Sequence, residues 1–213
     1  ATGNEDEAIA LTVSSALTDA SESLAITISG VPAGASLNNG TDNGDGSWSL
    51  TSADLAGLTI TPASNDDADF ALTVTATSTD GADTADTVDT INVTVNAVAD
   101  APTLTVADAT GNEDEAIALT VSSALTDASE SLAITISGVP AGASLNNGTD
   151  NGDGSWSLTS ADLAGLTITP ASNDDADFAL TVTATSTDGA DTADTVDTIN
   201  VTVNAVADAP TLT

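Results

Sequence analysis

The chain contains no lysine, arginine, histidine, cysteine, methionine or tyrosine among its 213 residues. Without cysteine or histidine there is no disulfide, thiol nucleophile, imidazole base or zinc site of the usual kind. Without lysine or arginine there is no Schiff-base amine, phosphate-cradling lysine or guanidinium clamp. These absences predict that the protein is not an enzyme. No apolar run approaches the roughly 18 residues of a membrane-spanning helix. The lack of an initiating methionine and of a leader with a basic head predicts that the chain is a piece of something larger.

What is present is acid. Thirty-three Asp and Glu residues give a formal net charge of -33, which excludes nucleic acid and anionic membrane surfaces as electrostatic partners. Hydrophobic residues still make up 40% of the chain, enough to build a core. Only six of the 33 acids are Glu, and short Asp carboxylates predominate where loops coordinate hard cations through oxygen. Ca2+ is therefore the expected cofactor.

Ala1–Thr105 recurs letter for letter as Ala109–Thr213, a period of 108 residues. That is far longer than a solenoid unit and close to the commonest domain size, so it predicts two tandem domains, 1–105 and 106–213. Within a copy, apolar residues alternate with Thr, Ser and Asn, and Gly, Asn, Asp and Pro clusters interrupt them. The pattern predicts seven strands per copy, at 7–13, 23–30, 35–38, 46–51, 57–61, 70–79 and 87–97, and hence an all-β sandwich. Phe70, Leu72, Val74 and Ala76, with Ile91, Val93 and Val95, form the expected inward rows. Trp48 and Phe70 are expected in the core, and 52–55 as a short helical turn capped by Ser52.

The acids cluster. Glu5, Asp6 and Glu7 precede the first strand, Asp66, Asp67 and Asp69 precede the strand at Phe70, and Asp80 and Asp83 follow it, while Asp100 and Asp108 lie between the copies. The second copy supplies Glu113, Asp114, Glu115, Asp174, Asp175, Asp177, Asp188, Asp191 and Asp208. Helix-loop-helix calcium loops and glycine-rich nonapeptides are absent, so any ligands must converge from separate loops. A seven-stranded topology places Asp66, Asp67 and Asp69 near Asp100 at one end of copy one, with Asp19 and Glu22 as further candidates there. The same topology places Glu113, Asp114 and Glu115 beside Asp188 and Asp191 at the facing end of copy two. Interdomain calcium follows as an expectation. For Asp42 and Asp45, turn formation and metal binding stay open.

Five segments, ISGVPAGASL (28–37), DGSWSL (45–50), ADLAGLTITP (53–62), DDADFALTVTATSTDG (66–81) and VADAPTL (98–104), resemble the extender repeats of giant RTX adhesins of Gram-negative bacteria. The resemblance covers essentially all of both copies. It implies immunoglobulin-like or cadherin-like sandwiches, calcium binding, export by a type I system and a place on the cell surface. It further implies neighbouring identical repeats as partners, no direct membrane contact, and a spacer role beneath a distal ligand-binding domain. Asp67 and Asp69 resemble the cadherin D-R-E segment, with Ala68 in place of its central arginine. Asp100 before Ala101 and Pro102 resembles part of the cadherin linker motif.

A calcium-dependent adhesive module could itself bind glycan or protein, although exact repetition suits a spacer better. An ice-binding row of Thr73, Thr75, Thr77 and Thr79 is also ordinary β propensity. A carboxylate-pair glycosidase has no aromatic platform or basic partner to support it.

Overall fold

The structure, a computed structural model, describes residues 1–212 and is all-β apart from two 3-10 turns, Ser52–Leu55 and Ser160–Leu163. The chain divides between Val98 and Ala99 into two units, against the 105/106 boundary expected from the repeat.

The first unit has β1 (Thr2–Asn4), β2 (Ile9–Ala10), β3 (Ser23–Ser29), β4 (Ser36–Leu37), β5 (Thr41–Asp42), β6 (Ser47–Leu50), β7 (Thr59–Thr61), β8 (Phe70–Asp80) and β9 (Asp83–Asn96). Nine strands thus stand where the pattern predicts seven. The additions are β1 and β5, both too short for an alternation to register, and the expected strand at 7–13 contracts to Ile9–Ala10. They form a six-stranded sheet in the order β1-β9-β8-β3-β6-β5 and a three-stranded sheet, β2-β7-β4. The strand β1 runs parallel to β9, pairing Thr2 with Thr94 and Asn4 with Asn96. Every other pairing in the unit is antiparallel.

The inward rows fall as the alternation predicts. Leu72, Val74, Val93 and Val95 are buried, with Ile26 and Ile28 from β3, against Ile9, Leu37 and Ile60 of the small sheet. Each such side chain contributes about 1.5–3 kcal/mol of burial free energy, which drives closure of the sandwich. Phe70 and Trp48 are half-buried and pack against this core. The 3-10 turn at 52–55 forms as expected, but its cap is Thr51 rather than Ser52. The Asp54 carboxylate accepts the Thr51 N–H at 2.8 Å and hydroxyl at 2.6 Å.

The second unit repeats this plan with β11 (Ala109–Asn112), β12 (Ile117–Ala118), β14 (Ser131–Ser137), β15 (Ser144–Leu145), β16 (Thr149–Asp150), β17 (Ser155–Leu158), β18 (Thr167–Thr169), β19 (Phe178–Asp188) and β20 (Asp191–Asn204). It has two further strands, β10 (Thr103–Ala107) and β13 (Thr120–Ala124), which pair antiparallel from Thr103↔Ala124 to Ala107↔Thr120. Residues 12–16 have the same sequence as β13, yet form no strand. The difference lies in β10, whose backbone gives 120–124 a partner to pair with.

Candidate functional site

The parallel pairing of β1 with β9 decides where the first acids go. A strand that runs alongside the last one delivers the next turn to the end where the unit's chain exits. Glu5, 4% exposed, accepts the Val98 N–H at 2.7 Å. Asp6, in the left-handed region at φ 57°, accepts the Asn65 N–H at 3.1 Å. Asp69 accepts the Val95 N–H at 2.9 Å, and Asp66 accepts from Ala68 within its own loop at 3.2 Å. Glu7 accepts from the Asn4 side chain at 3.4 Å, and Asp67 is exposed.

The second unit reproduces this set. Glu113 accepts from Val206 at 2.6 Å, Asp114 from Asn173 at 3.0 Å and Asp177 from Val203 at 2.8 Å. Asp174 accepts from Ala176 at 3.2 Å and Glu115 from the Asn112 side chain at 3.2 Å, while Asp175 and Asp208 are exposed. The hydrogen bonds therefore place Glu113 and Asp114 with the 173–177 loop and the outgoing chain. This corrects the expectation that they lie beside Asp188 and Asp191. That expectation had the acids precede the first strand, whereas β11 comes before them and, running parallel to β20, carries the turn after it to the end where the chain leaves the sheet.

Asp188 and Asp191 close the β19–β20 hairpin as a register pair, as Asp80 and Asp83 close β8–β9. At this end of the second unit the incoming segment is tied down. Asp191 accepts the Ala99 N–H at 3.1 Å, and Glu130 Oε1 accepts the Asp100 N–H at 2.6 Å. Ser186 donates its hydroxyl to the Asp100 carbonyl, and Thr126 donates to that of Ala101 at 2.8 Å. Asp127 takes the Ser129 N–H at 2.9 Å and hydroxyl at 2.6 Å. Asp127 and Glu130 are both buried, and the second Glu130 oxygen, Oε2, is enclosed with no hydrogen-bond partner. Asp108 sits apart, accepting the backbone and side-chain N–H groups of Asn200 at 2.9 and 3.0 Å.

The sequence reading named Asp19 and Glu22 of the first copy but not their repeats, Asp127 and Glu130. Glu is scarce in the chain, only 5, 7 and 22 and their repeats 113, 115 and 130, and that scarcity was the available signal. Among the described residues, no three acidic side chains stand close enough together to form a ready-made cation cage.

Asp42 and Asp45 serve as turn acceptors. Asp42 takes the Gly44 N–H at 2.8 Å, and Asp45 takes the Ser47 N–H at 3.0 Å and hydroxyl at 2.6 Å. The Ser47 hydroxyl and N–H hold the Asp45 carboxyl below its ordinary 3.8, and the Thr51 hydroxyl and N–H do the same for Asp54.

No protein-family model matches the chain, and no curated protein matches it. Among solved structures it is similar to the titin domains Z1Z2 in complex with telethonin, at 12% identity and a TM-score of 0.38, covering 97% of this chain and 93% of that one. It is also similar to cadherin-like domains 1 to 4 of zebrafish RET, at 9% identity and 0.29, covering 86% and 41%. A third likeness is to an endo-fucoidan hydrolase of glycoside hydrolase family 107, at 20% identity and 0.29, covering 86% of this chain but 24% of that enzyme's length. At such TM-scores these likenesses assign neither a family nor a function.

Proposed function

We propose that this chain is a calcium-stabilised structural extender of a large bacterial surface adhesin, a spacer that holds a distal ligand-binding domain away from the cell. The observation that carries the reading is Glu130, a buried carboxylate with one oxygen lacking any hydrogen bond in a chain without a single cationic side chain. An unpaired buried charge costs several kcal/mol, and with no cationic side chain in the sequence a bound cation would offset it.

The residues fit a hard divalent cation, because every available donor is a carboxylate, carbonyl or hydroxyl oxygen. Glu130, Asp127 and Asp100 would hold it in the second unit, with Asp188 and Asp191 adding charge from the hairpin. The turn and loop acids, Glu5, Asp6, Glu7, Asp66, Asp67 and Asp69 and their repeats, supply a further set in each unit. Calcium supplies charge neutralisation and loop cross-linking, and no catalytic step is part of the reading. At a dissociation constant near about 1 mM, about 10 mM calcium stabilises by roughly 1.4 kcal/mol per site.

The exact repetition of the unit supports a spacer, since reach grows with equivalent copies. The proposed setting is the extracellular face of a Gram-negative cell after type I secretion, where calcium is plentiful, with neighbouring repeats as partners.

Circular dichroism and small-angle X-ray scattering in chelator and in about 10 mM calcium test the proposal. Calcium should raise folded content and lengthen the particle. Identical folding and dimensions in both buffers would overturn it.

A further inference from the structure

In the second unit a carboxylate stands on the core-facing side of the large sheet. Register pairs Asp150 of the edge strand β16 with Trp156 of β17, and Trp156 with Ile136 of β14. Directly paired residues share a face, and Ile136 is fully buried, so this row faces inward. The sandwich is open beside it. The opening is a pocket of about 400 Å³ lined by Val139, Pro140, Asp150, Asp153 and Trp156, with glycines of the 150–154 turn completing its wall. An inward charge on an edge strand also discourages pairing with a foreign strand. That role accounts for Asp150 alone, and leaves Asp153 and the half-buried Trp156 in the same pocket without a reason.

The turn uses only part of each carboxylate. Asp150 Oδ1 accepts the Gly152 N–H at 2.8 Å, and Asp153 Oδ1 accepts the Ser155 N–H at 3.0 Å and hydroxyl at 2.6 Å. Neither Oδ2 takes a hydrogen bond from a described residue. The Ser155 hydroxyl and N–H hold the Asp153 carboxyl below its ordinary 3.8, so it is anionic at neutral pH. An indole beside two carboxylates is the chemistry that takes an organic cation. A guanidinium suits it best, because it is planar, stacks on an aromatic ring and donates parallel N–H groups to a carboxylate. A hard metal ion asks for six to eight oxygens, and the indole offers none. A neutral sugar leaves both charges uncompensated.

We propose that this pocket binds an arginine side chain of a basic partner protein. The chain holds no Lys, Arg or His, so no copy of it can supply that side chain and the partner is a different protein. The net charge of -33 draws a basic partner in and makes the contact weaken with salt. The first unit carries the same residues, Asp42, Asp45 and Trp48, with the same turn bonds, so the site recurs with each repeat. The proposal goes beyond the spacer reading and does not rest on it.

Trp48→Phe leaves Trp156 as the one indole of the full chain, and its fluorescence reads a titration in about 10 mM calcium. The probe is a short blocked peptide bearing a single arginine. The fluorescence change should saturate, and should weaken as sodium chloride rises. The same peptide with citrulline, which keeps the shape and loses the charge, should give no change. Asp150→Asn with Asp153→Asn keeps both Oδ1 acceptors and hence the turn, and should weaken binding about fivefold. Asp89→Asn with Asp197→Asn, two exposed acids outside the pocket, removes the same charge and should leave the affinity unchanged. Circular dichroism confirms that each variant is folded. Equal losses in the two pairs, citrulline binding as tightly as arginine, or no saturation by about 10 mM peptide overturns the proposal. A response to a neutral oligosaccharide without one to the arginine peptide assigns the pocket to glycan and overturns it too.

Discussion

Glu5 Oε1 accepts the Val98 N–H at 2.7 Å, joining the turn after β1 to residues 93 positions later, and Glu113 does the same for Val206 at 2.6 Å. Each is a buried acceptor facing a backbone donor that has left its sheet. Glu5→Ala strands that donor and should destabilise the first unit by about 1–3 kcal/mol in urea unfolding. Glu7→Ala, at an exposed side chain, should stay within about 0.5 kcal/mol.

Glu130→Gln separates two roles of one side chain. In chelator it removes a buried unpaired anionic oxygen and should raise the melting temperature of the second unit. In about 10 mM calcium it removes a proposed ligand, so the variant should melt below the parent. Thermal melts in the two buffers give opposite signs; the same sign in both excludes a calcium ligand at this position.

Asp54 reports acid stability. Hydrogen bonds from Thr51 depress its folded-state pKa below 3.8, so its contribution is present above the unfolded value and is lost as pH falls through the folded one. Carboxyl NMR titration should find Asp54 and Asp162 below 3.8, and Thr51→Val should move Asp54 back toward it.

Backbone constraints should differ between two glycines of similar φ. A Cβ on Gly30, at φ 82°, would stand 2.8 Å from the Ala71 carbonyl oxygen, whereas one on Gly44, at φ 80°, meets nothing within 4 Å. Gly44→Ala should cost about 1–2 kcal/mol of left-handed strain alone, and Gly30→Ala measurably more in the same urea titration.

The same five-residue stretch should exchange differently in its two settings. Amides of 120–124, paired with β10, should be protected, while those of 12–16, which are in no strand, exchange freely. Mass spectrometry of peptides made distinguishable by one conservative substitution in either copy reads this directly.

The alternation of Leu72, Val74, Val93 and Val95 with Thr and Asn carries the two long strands in its period of two, because strand side chains must point to opposite faces. The exact repeat likewise makes two equivalent units legible, since identical sequences build the same core. The short strands β1 and β5 escaped that reading, because two or three residues contain no period.

What only the tertiary structure decided is the company each acid keeps. Glu5, Asp6 and Glu7 sit with the 65–69 loop because β1 is parallel to β9, a choice set by long-range pairing and invisible to local pattern. Residues 12–16 and 120–124 share every letter, yet one is a strand and the other is not. A strand requires a partner for its N–H and C=O groups, and that partner is a separate segment of chain whose position no local sequence specifies.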